Sequence, residues 1–169
     1  MENKIKYMRI ALSEALAAAE IGEVPVGAVI VKDDLIIAKA HNMVETYNLS
    51  SAHAEMLAIR QAEKKLGNKW LNNCDLYVTL EPCSMCAGAM ILSRIKNLYI
   101  GAMDSKNGAA GSVFNITNEQ RLNHNINVEV GILEEECGKI LTDFFKDLRI
   151  AKAQSMKKRN NVKNHKKIL

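Results

Sequence analysis

The chain has 169 residues, of which 48% are hydrophobic and 25% are charged, and its net charge is +4. This composition predicts one folded domain and excludes an intrinsically disordered chain. No run of about 18 apolar residues is present to cross a bilayer. The N-terminal residues also lack the basic and apolar pattern of a secretory signal. We therefore expect a cytoplasmic protein without a membrane partner.

Hydrophobic periodicity and β-branched runs make helices and strands alternate along the chain. The predicted elements, in chain order, are a helix over 5–21, strands over 24–31 and 35–40, a helix over 53–66, a strand over 76–80, a helix over 87–93, strands over 98–100 and 126–130, and a helix from 134 to about 153. The first two strands are expected to form a hairpin that is buried on both faces, and the polar stretch 103–125 a long functional loop with one short helix. This order favours a layered α/β/α domain around one sheet.

Positive charge is concentrated at the C-terminus. Residues 146–169 carry a net charge of +8, so residues 1–145 carry about −4. We divide the chain into a domain over 1–153, which includes the C-terminal helix, and a basic tail over 154–169. Such a tail is either a solvated helix end or a contact for nucleic-acid phosphates, and composition favours neither.

Two short motifs carry metal-binding residue types. His53 is followed two residues later by Glu55, and Cys83 and Cys86 are spaced as a Cys-x-x-Cys pair after Pro82. Each motif begins a predicted helix, where the helix dipole favours a thiolate. One histidine and two thiolates suit Zn²⁺, whose charge the thiolates neutralise. Thiol redox chemistry is the alternative use of the cysteine pair, but that chemistry does not need the histidine motif.

The number of protein ligands separates a structural zinc site, which has four, from a catalytic one, which has three and a position for water. The candidates for a fourth ligand are Cys74, Cys137, His41 and His124. We expect the two cysteines to lie in the core, His41 at a strand end and His124 in a loop, all away from the metal. With the fourth position open, Glu55 gains a role as the carboxylate that moves protons to and from the activated water. A capping glutamate at a helix start is the structural alternative.

The two motifs together resemble the signature of the zinc-dependent deaminases. The resemblance extends over about residues 5–150 and is specific to the bacterial tRNA-specific adenosine deaminases, of the cytidine deaminase superfamily. It rests on these segments: Glu23–Val29, Leu76–Cys83, Met85–Ala89, Ser93–Ile95, Gly108–Ser112 and Asp143–Phe145. It implies a three-layer α/β/α cytidine deaminase-like fold with a five-stranded mixed central sheet.

The resemblance also implies the reaction, which is hydrolytic conversion of adenosine to inosine at the wobble position of a tRNA anticodon, on an arginine tRNA. It implies one Zn²⁺ per subunit of a homodimer, held by His53, Cys83 and Cys86. Zinc-activated water attacks C6 of the adenine, and Glu55 delivers protons to N1 and to the leaving amine. The partners are therefore the anticodon stem-loop of a tRNA and a second copy of the chain.

The same resemblance assigns substrate contacts. Asn42 matches a position that contacts the target nucleoside, although a turn residue is the structural alternative. Four residues match positions that line the pocket: Val26, Ala54, Leu80 and Pro82. Five more are candidates for contacts to neighbouring nucleotides, with lower specificity: Lys106, Asn123, His124, Phe145 and Arg149. We expect Phe144 to lie in the core and Phe145 to lie nearer the substrate.

Two other functions stay open. One is zinc-dependent deamination of a free base or nucleoside, namely cytosine, cytidine or guanine, on the same fold. The basic C-terminus and the Gly108–Ser112 loop argue against it. The other is a noncatalytic RNA-binding module with structural zinc, which needs a fourth protein ligand and tolerates replacement of Glu55.

Overall fold

Hydrogen bonding joins five strands into one mixed sheet in this computed structural model, which describes the backbone of residues 2–165 and the side chains of residues 2–156. Met1 and residues 166–169, the end of the predicted basic tail, lie outside the described residues. The elements, in chain order, are α1 (Glu2–Glu20), β1 (Gly27–Lys32), β2 (Leu35–His41), α2 (Val44–Tyr47), α3 (Ala54–Leu66), β3 (Cys74–Leu80), α4 (Ser84–Leu92), β4 (Asn97–Ala102), a 3-10 turn (Ile116–Asn118), β5 (Asn127–Val130) and α5 (Glu134–His165).

The strand order is β2-β1-β3-β4-β5, with β1 antiparallel to β2 and β3, and with β3, β4 and β5 parallel. Alternate residues of β1 enter different clusters because successive side chains of a strand point to opposite faces. Ala28 and Ile30 pack with α3 and α4, whereas Val29 and Val31 pack with α1 and α5. The predicted three-layer α/β/α fold with a five-stranded mixed sheet is confirmed.

The hairpin of β1 and β2 differs from the prediction in its burial. β1 is buried on both faces, but β2 is the edge strand and Leu35 at its start is 67% exposed. The predicted turn is present, because Asp33 and Asp34 both adopt positive φ, at 49° and 58°. Two successive left-handed residues suit a tight hairpin between twisted strands.

Helix α5 ends at His165 rather than at about Ala153, where the sequence analysis ended it. Residues 139–165 contain neither glycine nor proline, so nothing in the backbone chemistry stops the helix earlier. Three glutamates in the first turn, Glu134 to Glu136, complement its positive dipole end. None of the helices that the structure describes combines the length and the apolar character that a membrane span requires.

One end of the sheet gathers the segments that carry the motifs. β3 and β4 both end there, the antiparallel β1 begins there, and α3 and α4 start from the adjoining connections. Helix α1 packs directly against the start of β1, since a Cβ on Gly27 would lie 2.0 Å from the Ala11 carbonyl oxygen. This close approach fixes the segment 23–27 above the end of the sheet.

Candidate metal centre and active site

The three candidate metal ligands lie at the starts of two helices. His53 is the N-cap of α3 and Cys83 is the N-cap of α4, each with an extended backbone conformation, and Cys86 lies in the first turn of α4. The predicted helix starts therefore bring one imidazole and two thiols together, although the motifs are 30 residues apart in the chain.

The distances among the three donor atoms fit a tetrahedral zinc ion. Cys83 Sγ lies 3.7 Å from Cys86 Sγ and 3.7 Å from His53 Nδ1, and Cys86 Sγ lies 3.6 Å from His53 Nδ1. Zinc bonds of about 2.3 Å to sulfur and 2.05 Å to nitrogen at the tetrahedral angle require separations of about 3.8 Å between sulfurs and 3.6 Å from sulfur to nitrogen. The arrangement can therefore hold the ion without rearrangement.

Within the described residues, no other histidine, cysteine or carboxylate joins this group of donors. Each alternative ligand is occupied elsewhere. His41 Nδ1 pairs with Glu14 at 2.8 Å, and His124 Nε2 contacts the Ile95 carbonyl oxygen at 2.6 Å. Cys74 and Cys137 are both fully buried in the core. Three donors leave the fourth position of a tetrahedral ion to water or substrate.

The two thiols differ in their protonation. Hydrogen bonds from Cys86 and then from His53 lower the pKa of Cys83 to about 3. The pKa of Cys86 is raised, because it holds the proton shared with Cys83 and because it is buried. The hydrogen bond to Cys83 also raises the pKa of His53. These hydrogen bonds therefore favour the thiolate form of Cys83, which is the form that ligates metals.

A cavity of about 380 Å³ opens beside the candidate metal site, with His53 and Cys83 among its lining residues. Of the predicted nucleoside-contacting and pocket residues, Asn42, Val26 and Leu80 line it, and so does Glu55. Ala54 and Pro82 are buried beside the cavity and are not among its lining residues.

Glu55 is 4% exposed, and burial raises the pKa of its carboxyl group. This environment suits a group that takes up and releases a proton beside a metal-bound reaction site.

A second cavity of about 430 Å³ adjoins the first. The two share Val24, Leu80, Asp104 and Asn107, so they form one continuous opening. Lys106 and Phe145, both predicted contacts for neighbouring nucleotides, line the second cavity.

Arg149 follows Phe145 by one helical turn and is exposed, as is Phe145 itself at 40%. Phe144 is only partly buried and packs edge-on against Phe145, with ring centroids 5.5 Å apart, rather than lying in the core.

Asn123 and His124 lie at the opposite end of the sheet from the candidate metal site. His124 contacts Ile95, just before β4 begins, whereas the site lies beyond the other end of that strand. The six residues of β4 separate the two by about 20 Å. The physical reason is topological. Because β5 runs parallel to β4, the chain must return to the start of β4 before β5 can pair with it. The structure therefore does not bring these two predicted contacts to the pocket of their own chain.

Glu81 is a functional residue that was not predicted from the sequence, and it is 3% exposed. It accepts backbone hydrogen bonds from Ala110 at 2.9 Å, Asp104 at 2.9 Å and Ser112 at 3.0 Å, and another from the Ser112 hydroxyl. Burial alone raises its pKa, but these hydrogen bonds outweigh burial and hold the pKa of Glu81 below its usual value. The carboxylate thereby ties the loop 104–112 to the connection between β3 and Cys83, the N-cap of α4.

Glu23 is a second buried carboxylate that the sequence analysis left without a role. Its only signal in the sequence is an acidic residue directly before an apolar strand, and the same is true of Glu81 directly after one. Neither pattern is specific, because the partners of both residues are distant in the chain.

Fold and family comparison together define the chain as a deaminase. The sequence model of the MafB19-like deaminase family matches residues 2–149. A tRNA-specific adenosine deaminase of Bacillus subtilis strain 168 is 52% identical over 151 residues, which are 89% of this chain and 94% of that protein.

Two solved structures extend this comparison. One comes from a study of A-to-I editing by tRNA:A34 deaminases at the wobble position of transfer RNA. It superposes with a TM-score of 0.78 at 44% identity, over 80% of this chain and 99% of that one. A guanine deaminase from Bacillus subtilis is more distant, with a TM-score of 0.57 and 34% identity over 85% of this chain and 92% of that one. The chain belongs to the family of tRNA-specific adenosine deaminases, which confirms the resemblance seen in its sequence.

Proposed function

We propose that this protein converts adenosine to inosine by hydrolysis at the wobble position, 34, of a tRNA anticodon. Membership of the tRNA-specific adenosine deaminases supports the reaction. The observation that carries the proposal in the structure is the three-donor group with a buried glutamate beside an open cavity. An arginine tRNA is the proposed substrate, as the sequence resemblance implies.

His53, Cys83 and Cys86 would hold one Zn²⁺ per subunit, since their donor atoms have the separations that this ion requires. Zinc supplies the Lewis acidity that makes water nucleophilic at neutral pH. Glu55 acts as the proton carrier, because its buried carboxyl group lines the same cavity. It takes one proton from the attacking water and delivers it to N1 of the adenine, and it then takes the second proton from the new C6 hydroxyl and delivers it to the amine, which departs as ammonia.

The cavity accommodates one base, so the target nucleotide must leave the anticodon stack to react. The adjoining cavity supplies groups for its neighbours. Phe145 offers an aromatic face on which an unstacked base can pack, and Lys106 and Arg149 offer positive charge to phosphates. These contacts follow from the continuity of the two cavities, and they support an RNA substrate over a free base.

The basic residues of the tail over 154–169 are proposed to contact tRNA phosphates outside the loop, because helix α5 carries the chain away from Phe145 at about 1.5 Å per residue as far as His165. We also propose a homodimer, supported by exposed apolar side chains beside α4, where Leu92 is 77% and Trp70 is 44% exposed. A tRNA substrate further implies a cytoplasmic location. Light scattering tests the dimer, since its mass would be twice 18.8 kDa.

Deamination of a free base is the second candidate, favoured by the likeness to the Bacillus subtilis guanine deaminase. The deciding experiment incubates the zinc-loaded protein with an arginine tRNA that carries adenosine at the wobble position, and in parallel with free adenosine, cytidine, cytosine and guanine. Inosine in the tRNA alone supports the proposal. Turnover of a free compound with the tRNA unchanged would overturn the substrate and retain the metal chemistry.

A further inference from the structure

Glu23 is a fully buried carboxylate beside the pocket, and no ion pair formed by the described residues includes it. Its charge is instead satisfied by two hydrogen bonds. Glu23 Oε1 accepts from the Thr46 backbone N–H at 2.6 Å, and Oε2 accepts from Asn42 Nδ2 at 2.9 Å. A buried charge is costly unless such donors compensate it, so its presence here calls for a specific cause.

Asn42 is the residue through which Glu23 reaches the pocket. Its backbone N–H donates to the Val26 carbonyl oxygen at 3.0 Å, which fixes the main chain at the cavity wall. Its side chain is 8% exposed and lines the cavity with His53 and Glu55. With the backbone fixed, the remaining freedom of Asn42 is rotation of the amide, which exchanges its oxygen and its NH2 group.

The carboxylate of Glu23 removes that freedom. Burial alone raises its pKa, but the hydrogen bonds from the Thr46 backbone and from Asn42 outweigh burial and hold the pKa of Glu23 below its usual value. An ionised carboxylate only accepts hydrogen bonds, so the NH2 group of Asn42 must face it. The amide then presents its second N–H and its oxygen to the cavity in one fixed arrangement.

We propose that Glu23 is a positioning residue that fixes the orientation of the Asn42 amide, so that the target nucleoside always meets the same hydrogen-bonding pattern. This inference rests on the proposed function, because it takes Asn42 as the residue that contacts the nucleoside. An inverted amide places a donor where the nucleoside needs an acceptor, and an acceptor where it needs a donor. Such a mismatch leaves buried polar groups unpaired on both sides.

The variant Glu23→Gln inverts the amide without emptying the site. The Thr46 N–H is part of the backbone and cannot turn, so it takes the single oxygen of the new side chain. The new NH2 group then faces Asn42, whose oxygen must turn toward it. The Thr46 N–H and the Asn42 side chain both keep a partner and the shape of the residue is unchanged, so we expect folding to be preserved.

The kinetic test is a double-mutant cycle on the wobble adenosine of the arginine tRNA, with Glu23→Gln, Asn42→Ala and the combined variant. We expect Glu23→Gln to raise KM about tenfold or more with a smaller change in kcat. In the Asn42→Ala background, the same substitution should have no further effect on KM. The control is Glu129→Gln, which removes an exposed carboxylate that pairs with Lys4, and its KM should equal that of the wild type.

An unchanged KM in Glu23→Gln would overturn the proposal, and so would an equal rise of KM in the Asn42→Ala background. Absence of inosine with the wild-type protein would instead refute the proposed function. A readout without substrate separates the two cases, namely the NMR resonances of the Asn42 side-chain amide, assigned through their loss in Asn42→Ala. They should shift strongly in Glu23→Gln, where the carboxylate acceptor is gone, and an unshifted pair would also overturn the proposal.

Discussion

Replacement of Gly108 by alanine should release the loop 104–112 from the end of β3. A Cβ at this position would lie 2.1 Å from Glu81 Oε2 and 2.3 Å from its carboxyl carbon. Neither neighbour can retreat, because the Glu81 carboxylate is held by hydrogen bonds from Asp104, Ala110 and Ser112. The variant must therefore break some of these bonds or displace the loop.

Loss of two such charge-assisted hydrogen bonds costs about 3 to 6 kcal/mol. For a domain of this size, about 1 kcal/mol lowers Tm by about 3 °C, so Gly108→Ala should lower Tm by about 10 °C or more. The matched control is Gly138→Ala in α5, where a Cβ meets nothing within 4 Å and helix propensity favours alanine by about 1 kcal/mol. Thermal unfolding of both variants checks the prediction. Equal melting temperatures for Gly108→Ala and the wild type would refute the reasoning about Glu81.

Three further outcomes are expected. Glu55→Gln should reduce kcat by at least about a hundredfold. Its zinc content, measured by elemental analysis, should stay at one ion per subunit. Substantial retained turnover would disprove the proton-transfer role. Deletion of residues 157–169 removes six lysines and arginines, so it should raise KM for full tRNA. The slope of log KM against log salt concentration should also decrease by about 0.7 for each phosphate that the tail neutralises. An unchanged slope would contradict binding of the tail to RNA. Because the pKa of Glu81 is lowered from 4.5, its ionised form stabilises the fold above that pH, and stability should fall as pH decreases through the lower folded pKa. Urea unfolding between about pH 6 and pH 3 should show this decrease, and Glu81→Gln should lack its contribution.

The sequence predicted the layers of the fold because period-2 and helical patterns record which faces are buried. It also predicted that His53 and Cys83 would begin helices, since loop and strand ends precede them. The burial of β2 could not be predicted, because its pattern does not say which strands become its neighbours and the edge position is set by the whole sheet. The placement of Asn123 and His124 depended on β5 being parallel to β4, which no local pattern reveals.

The buried carboxylates were also beyond the reach of sequence patterns. Glu81 takes its hydrogen bonds from a loop 23 to 31 residues further along the chain, and Glu23 takes its own from segments 19 and 23 residues away. Backbone N–H groups donate most of these bonds, and every residue except proline has one. The partners therefore have no characteristic residue type, and only the fold shows that they converge.

Three glutamates are buried around this pocket, and their surroundings divide them into two kinds. Glu23 and Glu81 each receive hydrogen bonds from fixed donors that outweigh burial, so their pKa values are lowered and they remain ionised. For Glu55 burial dominates, and the pKa is raised. The same side chain thus fixes the walls of the pocket at two positions and serves the chemistry at the third. Because burial outweighs the hydrogen bonds at Glu55, adding a donor near its carboxyl group should lower its pKa and slow the reaction, even where the metal ligands are untouched.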